Sequence, residues 1–372
     1  MPGQQAYEMS RQVLRELGPS PRLVVVKAGG LGDFLAATPA LRALRGALPQ
    51  AHLTLIAKPD LVSFCQRYAL LDRVLPAPPY PGISDPPYDE VAADQFLRQM
   101  RQERLDLALQ WQGNGMLSNR FVRGLGARIT AGFRSAEAPG LDFWLPFDSR
   151  QHEALRFLDL VRLLGVEPVG LHLELPIIDR DEAELANLDG KLDKGALEGR
   201  QYLGLQVSAG GRSRQWPPER FAEVANHLLV DFPLAGVVVS AGPGQEGQAA
   251  ATLAQIRPSA RKVDVSGCLS LGGLAALISR LRLLISTDSG PAHMAVALGT
   301  PSVTVFGSGN PLNWAPLART WHRAVVNWAA PCRWQVDDGC PEDPSVPCLQ
   351  GVGAAEVVEE ASSLLNLLTR MR

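Results

Sequence analysis

Along the chain, short runs of consecutive apolar residues alternate with longer stretches whose apolar positions recur every three or four residues. "RLVVVKA" precedes a helix-period segment at residues 33–48, "HLTLIA" one at 61–68, and "LDLALQW" one at 116–125. Continuous apolar runs suit strands buried on both faces, and the amphipathic segments between them suit helices that cover such a sheet. Residues 76–87, "PAPPYPGISDPP", hold too many prolines for helix or strand and read as a loop.

After another helix-period segment at 153–164 and the connection "LHLELPIIDRDEAEL", the alternation restarts. "YLGLQVSAGG", "GVVVSAGPG", "KVDVSG", "RLLISTDSG" and "PSVTVFG" are separated by helix-period segments at 217–230, 245–256, 271–280 and 291–298. The pattern predicts an α/β protein of two parallel-sheet domains, the second beginning near residue 175. Val357, Val358, Ala361, Leu364, Leu365 and Leu368 then recur at helical spacing and predict a terminal helix over 354–371, packed on the body. Neither half shows the short period of a solenoid.

Length agrees: at about 150 residues per domain, 372 residues make two domains, with a cleft between them as the expected ligand site. Lys plus Arg number 36 against 38 for Asp plus Glu, so no whole-chain field points to nucleic acid and a small or locally charged ligand is expected. "MPGQQAYEMSRQVLREL" breaks any export-signal core with polar residues, and no window reaches the ~20 apolar residues of a membrane span. Five cysteines, an odd number, suit reduced thiols. The expectation is a cytoplasmic protein, free to touch a membrane surface.

Ligands of open α/β sheets sit where strands run into helices at their carboxyl ends, which selects three loops. In "KAGGLGD", Gly30 and Gly32 fit the first two places of a dinucleotide fingerprint, but position 35 is leucine, and the P-loop spacing is absent too. Asp33 is either a helix-start carboxylate or a reactive group, and the local sequence leaves both open. "SAGGRSRQWPPERF" offers Ser208, small residues with accessible N–H groups, and Arg212 and Arg214 as cationic donors, a diphosphate cradle or else a solvated basic turn anchored by Trp216. "STDSGPAHMAVALGTP" places Asp288, Ser289 and Gly290 before a helix opened by Pro291, with His293 in its first turn. These are either an anion site or ordinary caps with a packed histidine. No nucleophile elbow accompanies the Ser/His pair.

Taken together these loops resemble glycosyltransferase family 9, the ADP-heptose lipopolysaccharide heptosyltransferases and their relatives. The likeness spans residues 23–365 in four ordered blocks: "GLGDFLAATPALRALRGALPQAHLTLIA", "VSAGGRSRQWPPERFAEVANHL", "ISTDSGPAHMAVALGTPSVTVFG" and "CLQGVGAAEVVEEASSLL". It implies the GT-B fold, two Rossmann-like domains facing a central cleft, with residues 1–174 binding the acceptor and 175–372 binding the donor. It also implies inverting transfer of a sugar, heptose from ADP-heptose, to a saccharide or glycolipid acceptor such as lipopolysaccharide core. Nucleotide sugars of another kind, or a protein acceptor, are the alternatives within the class.

By that resemblance Asp33 is the general base, Ser208, Arg212, Ser213 and Arg214 face the diphosphate, and Asp288 holds donor-sugar hydroxyls. Ser289, Gly290 and His293 lie at the phosphates. Glu246 accepts from the ribose, although a carboxylate favouring a helix start explains it equally well. Arg214 departs from the lysine common in the lipopolysaccharide enzymes; it keeps the charge and adds a fork. No cofactor is implied, since the nucleotide sugar is a substrate, and no catalytic metal: Asp179 and Glu182 in "DRDEAEL" read as a capping pair rather than a D-x-D site. Cys332, Cys340 and Cys348 resemble in spacing the four cysteines that some members gather around iron, but Ala329 stands at the first position, so a structural metal here, which the sequence leaves open, would need another donor. A nicotinamide dehydrogenase would need a full glycine fingerprint and an acid where Lys58 ends the second strand. A non-catalytic sugar-nucleotide binder would have lost Asp33 or the diphosphate loop, and both are present.

Overall fold

Valine- and leucine-rich runs form the inner strands because branched side chains fit a pleated surface covered on both faces. The computed structural model describes residues 16–188, 190–330 and 347–371, and the chain divides into two units, Met1–Pro176 and Ile177–Arg372. The first holds β1 (Arg22–Lys27), β2 (His52–Ala57), β3 (Arg73–Pro76), β4 (Leu107–Gln110), β5 (Ile129–Arg134) and β6 (Phe143–Pro146). All pairings in this sheet are parallel, in the order β3-β2-β1-β4-β5-β6.

The second unit repeats the plan with β7 (Tyr202–Gln206), β8 (Gly236–Ser240), β9 (Lys262–Asp264), β10 (Leu283–Thr287), β11 (Ser302–Phe306) and β12 (His322–Val326). Its order is β9-β8-β7-β10-β11-β12, again wholly parallel. Each sheet starts at its centre, winds outward, then returns to wind the other way. The reversal opens a crevice between the carboxyl ends of β1 and β4 in one unit, and of β7 and β10 in the other.

The expected two-fold alternation is present, with differences at its margins. β3 and β6 bury only part of their side chains and so carry no continuous apolar run. The segment 61–68 forms only a 3₁₀ turn, Pro59–Leu61, and one helical turn, Val62–Cys65. The helix expected from residue 33 begins earlier, as Leu31–Ala47. In Asp179–Ala186 the capping carboxylate is Asp181, whose Oδ2 accepts from Ile178 N at 3.1 Å, not Asp179; Glu182 pairs with Arg280 at 2.5 Å. The apolar Ile178 takes the extended cap position, which makes Asp181 the third helical residue and puts its carboxylate within reach of the cap N–H.

Ala354–Arg370 buries Val357, Ala361, Leu364 and Leu365 in the second unit's core, together with Trp216 and Phe221. Trp216 Nε1 donates to Val352 O at 3.0 Å, tying the loop after β7 to the terminal segment. Cys348 is buried in the same core, Ala329 offers no side-chain donor, and Cys332 and Cys340 lie outside the described residues.

Candidate active site

In the first unit, β1 delivers Lys27 to the crevice and the chain turns through Ala28, Gly29 and Gly30 into the helix Leu31–Ala47. Ala28 N donates to Gln112 Oε1 at 3.1 Å, which ties this turn to the loop after β4 across the strand reversal. A β-carbon on Gly29 would fall 2.6 Å from Asp33 Cγ, so only glycine lets the carboxylate fold back over the turn. There Asp33 Oδ2 accepts from Gly30 N at 3.1 Å and Oδ1 accepts from Lys27 Nζ at 2.6 Å. The Asp33 side chain keeps 31% of its surface exposed, against 4% for Lys27.

Asp33 thus caps its own helix start, as one of its two readings expects. It closes the first helical turn and still presents an oriented carboxylate at the crevice. A phosphate at this helix start would meet a negative charge already in place, which argues against a phosphate cradle here.

In the second unit, Ser208 lies buried beneath the loop after β7, its Oγ accepting from Gly242 N at 2.6 Å and from Gln206 Nε2 at 2.9 Å. Ser208 thus splints the loops after β7 and β8. The 3₁₀ turn Arg212–Arg214 carries Ser213, whose Oγ lies 2.8 Å from Ser308 Oγ. Arg214 folds back over the glycines: a β-carbon on Gly210 would sit 3.4 Å from its Nη2. The side chain of Arg212 lies outside the described residues.

Asp288 is buried just beyond β10, and Ser289 caps the helix Gly290–Leu298 with extended backbone. His293 Nε2 stands 3.8 Å from Asp288 Oδ1, and its ring meets Trp314 edge-on with centroids 5.7 Å apart. These two residues, with Thr304, Phe306 and Pro316, line a small crevice. Thr304 Oγ1, and the neighbouring Ser286 Oγ and Thr287 Oγ1, are buried with no hydrogen-bond partner among the described residues. Glu246 is exposed at its helix start, with Oε1 accepting from Gly244 N at 3.0 Å, the local role its position suggested.

The structure brings Ser213 and Asp288 to one loop that the sequence pattern did not single out, Gly307–Ser308–Gly309 after β11. A β-carbon on Gly307 would lie 2.7 Å from Ser213 O, and one on Gly309 only 1.9 Å from Asp288 Oδ2. Two glycines flanking a serine at the carboxyl end of a buried strand were the available signal. Lys27 was legible as a residue but not as a partner, because nothing in its spacing to Asp33 distinguishes it from a solvated lysine.

Two Rossmann-type sheets, each with its polar loops at the strand reversal, define a GT-B protein. The model of glycosyltransferase family 9 (heptosyltransferase) matches residues 94–345, and the chain belongs to this family. It is a glycosyltransferase. It is 24% identical over 312 residues to the lipopolysaccharide core heptosyltransferase OpsX of Haemophilus influenzae, covering 79% of this chain and 81% of the relative. Among solved structures, a family 9 glycosyltransferase from Veillonella parvula superposes with a TM-score of 0.74 at 21% identity, over 93% of this chain and 97% of that one. The ADP-heptose lipopolysaccharide heptosyltransferase II of Escherichia coli gives 0.72 at 20% identity, over 94% and 99%.

Proposed function

We propose that the protein transfers heptose from ADP-heptose to a saccharide acceptor of the lipopolysaccharide core, with inversion at the anomeric carbon. The observation that carries the reading is the Asp33 carboxylate, held by Lys27 and Gly30 yet part exposed at the strand reversal. Asp33 takes the proton of the acceptor hydroxyl as that oxygen bonds to the anomeric carbon. The bond from that carbon to the β-phosphate oxygen breaks, and its electron pair leaves with ADP. Attack opposite the leaving group inverts the centre without a covalent intermediate.

The second unit is assigned to the donor. Arg212, Ser213 and Arg214, with the N–H groups of Ser289 and Gly290, stabilise the charge growing on the diphosphate; Asp288 accepts from sugar hydroxyls and His293 stands at the phosphates. Ser208 supports this loop from below, and Glu246 is left for the ribose. The donor's identity leans on the relatives named as lipopolysaccharide heptosyltransferases. A glycolipid acceptor would bring the protein to the cytoplasmic face of the inner membrane; among the described residues no helix is long and apolar enough to cross one.

The test is transfer to heptose-deficient lipopolysaccharide core from ADP-heptose, compared with other ADP-, UDP- and GDP-sugars. Asp33→Asn should slow turnover by roughly 10² to 10⁴-fold while ADP binding stays within a few-fold of the parent. Normal turnover by that variant would reduce Asp33 to a helix cap, and preference for another donor would remove ADP-heptose.

A further inference from the structure

Lysine is among the residues least often fully buried, and an ammonium taken from water needs a partner of opposite charge and further contacts to offset its lost hydration. Lys27 is 4% exposed. Its Nζ reaches Asp33 Oδ1 at 2.6 Å and stands 5.2 Å from the centroid of the Phe157 ring. That ring is itself stacked on the buried Trp111, with centroids 5.2 Å apart. The ammonium is thus flanked by the carboxylate, from the helix Leu31–Ala47, on one side and by an aromatic face, from the helix Glu153–Leu163, on another.

The pair does something that the helix cap does not. The hydrogen bond from Gly30 N engages Oδ2 of the carboxylate. A second donor on Oδ1, delivered from the end of a buried strand, fixes the plane of the group and the direction of its lone pairs. We propose that Lys27 is a positioning residue for sugar transfer, fixing the orientation of the Asp33 carboxylate and keeping it ionised between turnovers. The inference rests on the reading of Asp33 as the base.

When Asp33 takes the acceptor's proton, the ammonium loses its counter-charge in a buried place. The proton is therefore passed on to solvent through the exposed part of the side chain, and the carboxylate returns ready for the next acceptor. Phe157, Trp111 and Gln112, which holds the turn, carry no titratable group. Arg156 on the same helix as Phe157 is turned to Glu153 and to the carbonyls of Asp148 and Gln151.

The experiment measures kcat, donor KM and the pH dependence of kcat for Lys27→Met, Lys27→Arg and Asp33→Asn, using ADP-heptose and lipopolysaccharide core acceptor. Lys27→Met is expected to lower kcat about 10- to 100-fold with donor KM unchanged, because a misaligned base costs rate rather than donor binding. Removing the neighbouring cation also moves the acidic limb of the profile up by about one pH unit or more. Lys27→Arg, which keeps the charge, should leave that limb in place while recovering part of the rate, and it stands in if the methionine variant does not fold. A Lys27→Met enzyme with parental kcat, or one slowed with its acidic limb unmoved, overturns the inference, as does a displaced limb in Lys27→Arg. Should Asp33→Asn turn over normally, the base reading itself fails. Loss of activity in Asp33→Asn beside an unaffected Lys27→Met removes the role of Lys27 alone.

Discussion

Gly309 lies against the Asp288 carboxylate so closely that a β-carbon there would fall 1.9 Å from Oδ2. A side chain at position 309, in the loop after β11, would have to displace the carboxylate of Asp288, which is buried just beyond β10. Gly309→Ala should therefore turn the carboxylate away from the donor and weaken ADP-heptose binding by about tenfold or more, roughly the worth of one charged hydrogen bond. Titration calorimetry reads this directly, with ADP alone as the control: a loss seen for ADP-heptose but not for ADP places Asp288 at the sugar. Unchanged affinity for both would separate Asp288 from the donor.

Arg214 stands over Gly210 and Gly211, where its guanidinium can reach an anion cradled by the loop. Arg214→Ala should weaken ADP binding by about 10- to 100-fold, the range expected for hydrogen bonds from a charged group. Arg214→Lys should recover part of that affinity, since lysine keeps the charge and loses the fork. Equal affinity of all three proteins for ADP would place the diphosphate elsewhere.

The loops that carry these residues were visible in the sequence because short polar stretches after apolar runs mark the carboxyl ends of parallel strands. The partnerships were not visible. Ser213 with Ser308 and Asp288 with Gly309 join residues far apart in the chain, and only the sheet order, which puts β7, β10 and β11 side by side, brings them together. Ser208 shows the opposite limit: its position in the loop suggested a ligand contact, whereas burial turns its hydroxyl to Gly242 and Gln206. β3 and β6 left no clear mark in the pattern because edge strands bury one face at most and lose the continuous apolar run.

Cysteine reactivity should divide sharply with burial. The Cys65 thiol is pushed up to about 12 by burial, partly opposed by the nearby Arg67 charge, so that about one in 10⁴ is thiolate at pH 8. Cys268 is exposed, with Lys191 Nζ donating to its sulfur at 3.4 Å. Brief treatment of the native protein with iodoacetamide, followed by peptide mass mapping, should find Cys268 modified and Cys65 protected until denaturant is added. Early labelling of Cys65 would mean that the first unit opens locally in its native state.

His322 makes the second unit's stability depend on acidity. It sits on β12 in register with Ser302 of β11, and the Ser302 hydroxyl and its Nδ1 are 2.9 Å apart. Burial first, and the Arg323 charge second, lower its pKa from 6.5 to about 4. In the unfolded chain the imidazole returns to its ordinary value, so between those limits the unfolded state binds more protons than the folded one. The stability that the neutral histidine contributes is therefore complete above pH 6.5 and is lost as pH falls towards 4. The interval corresponds to about 3 kcal/mol at most. Urea unfolding of the parent and of His322→Gln at pH 7.5, 6 and 5 (about one pH step apart) isolates this contribution, because other titrations are common to both proteins. The parent should lose stability relative to the variant as pH falls. A difference between them that stays constant over this range would show that His322 titrates alike in the folded and unfolded chain, contrary to its burial beside Ser302.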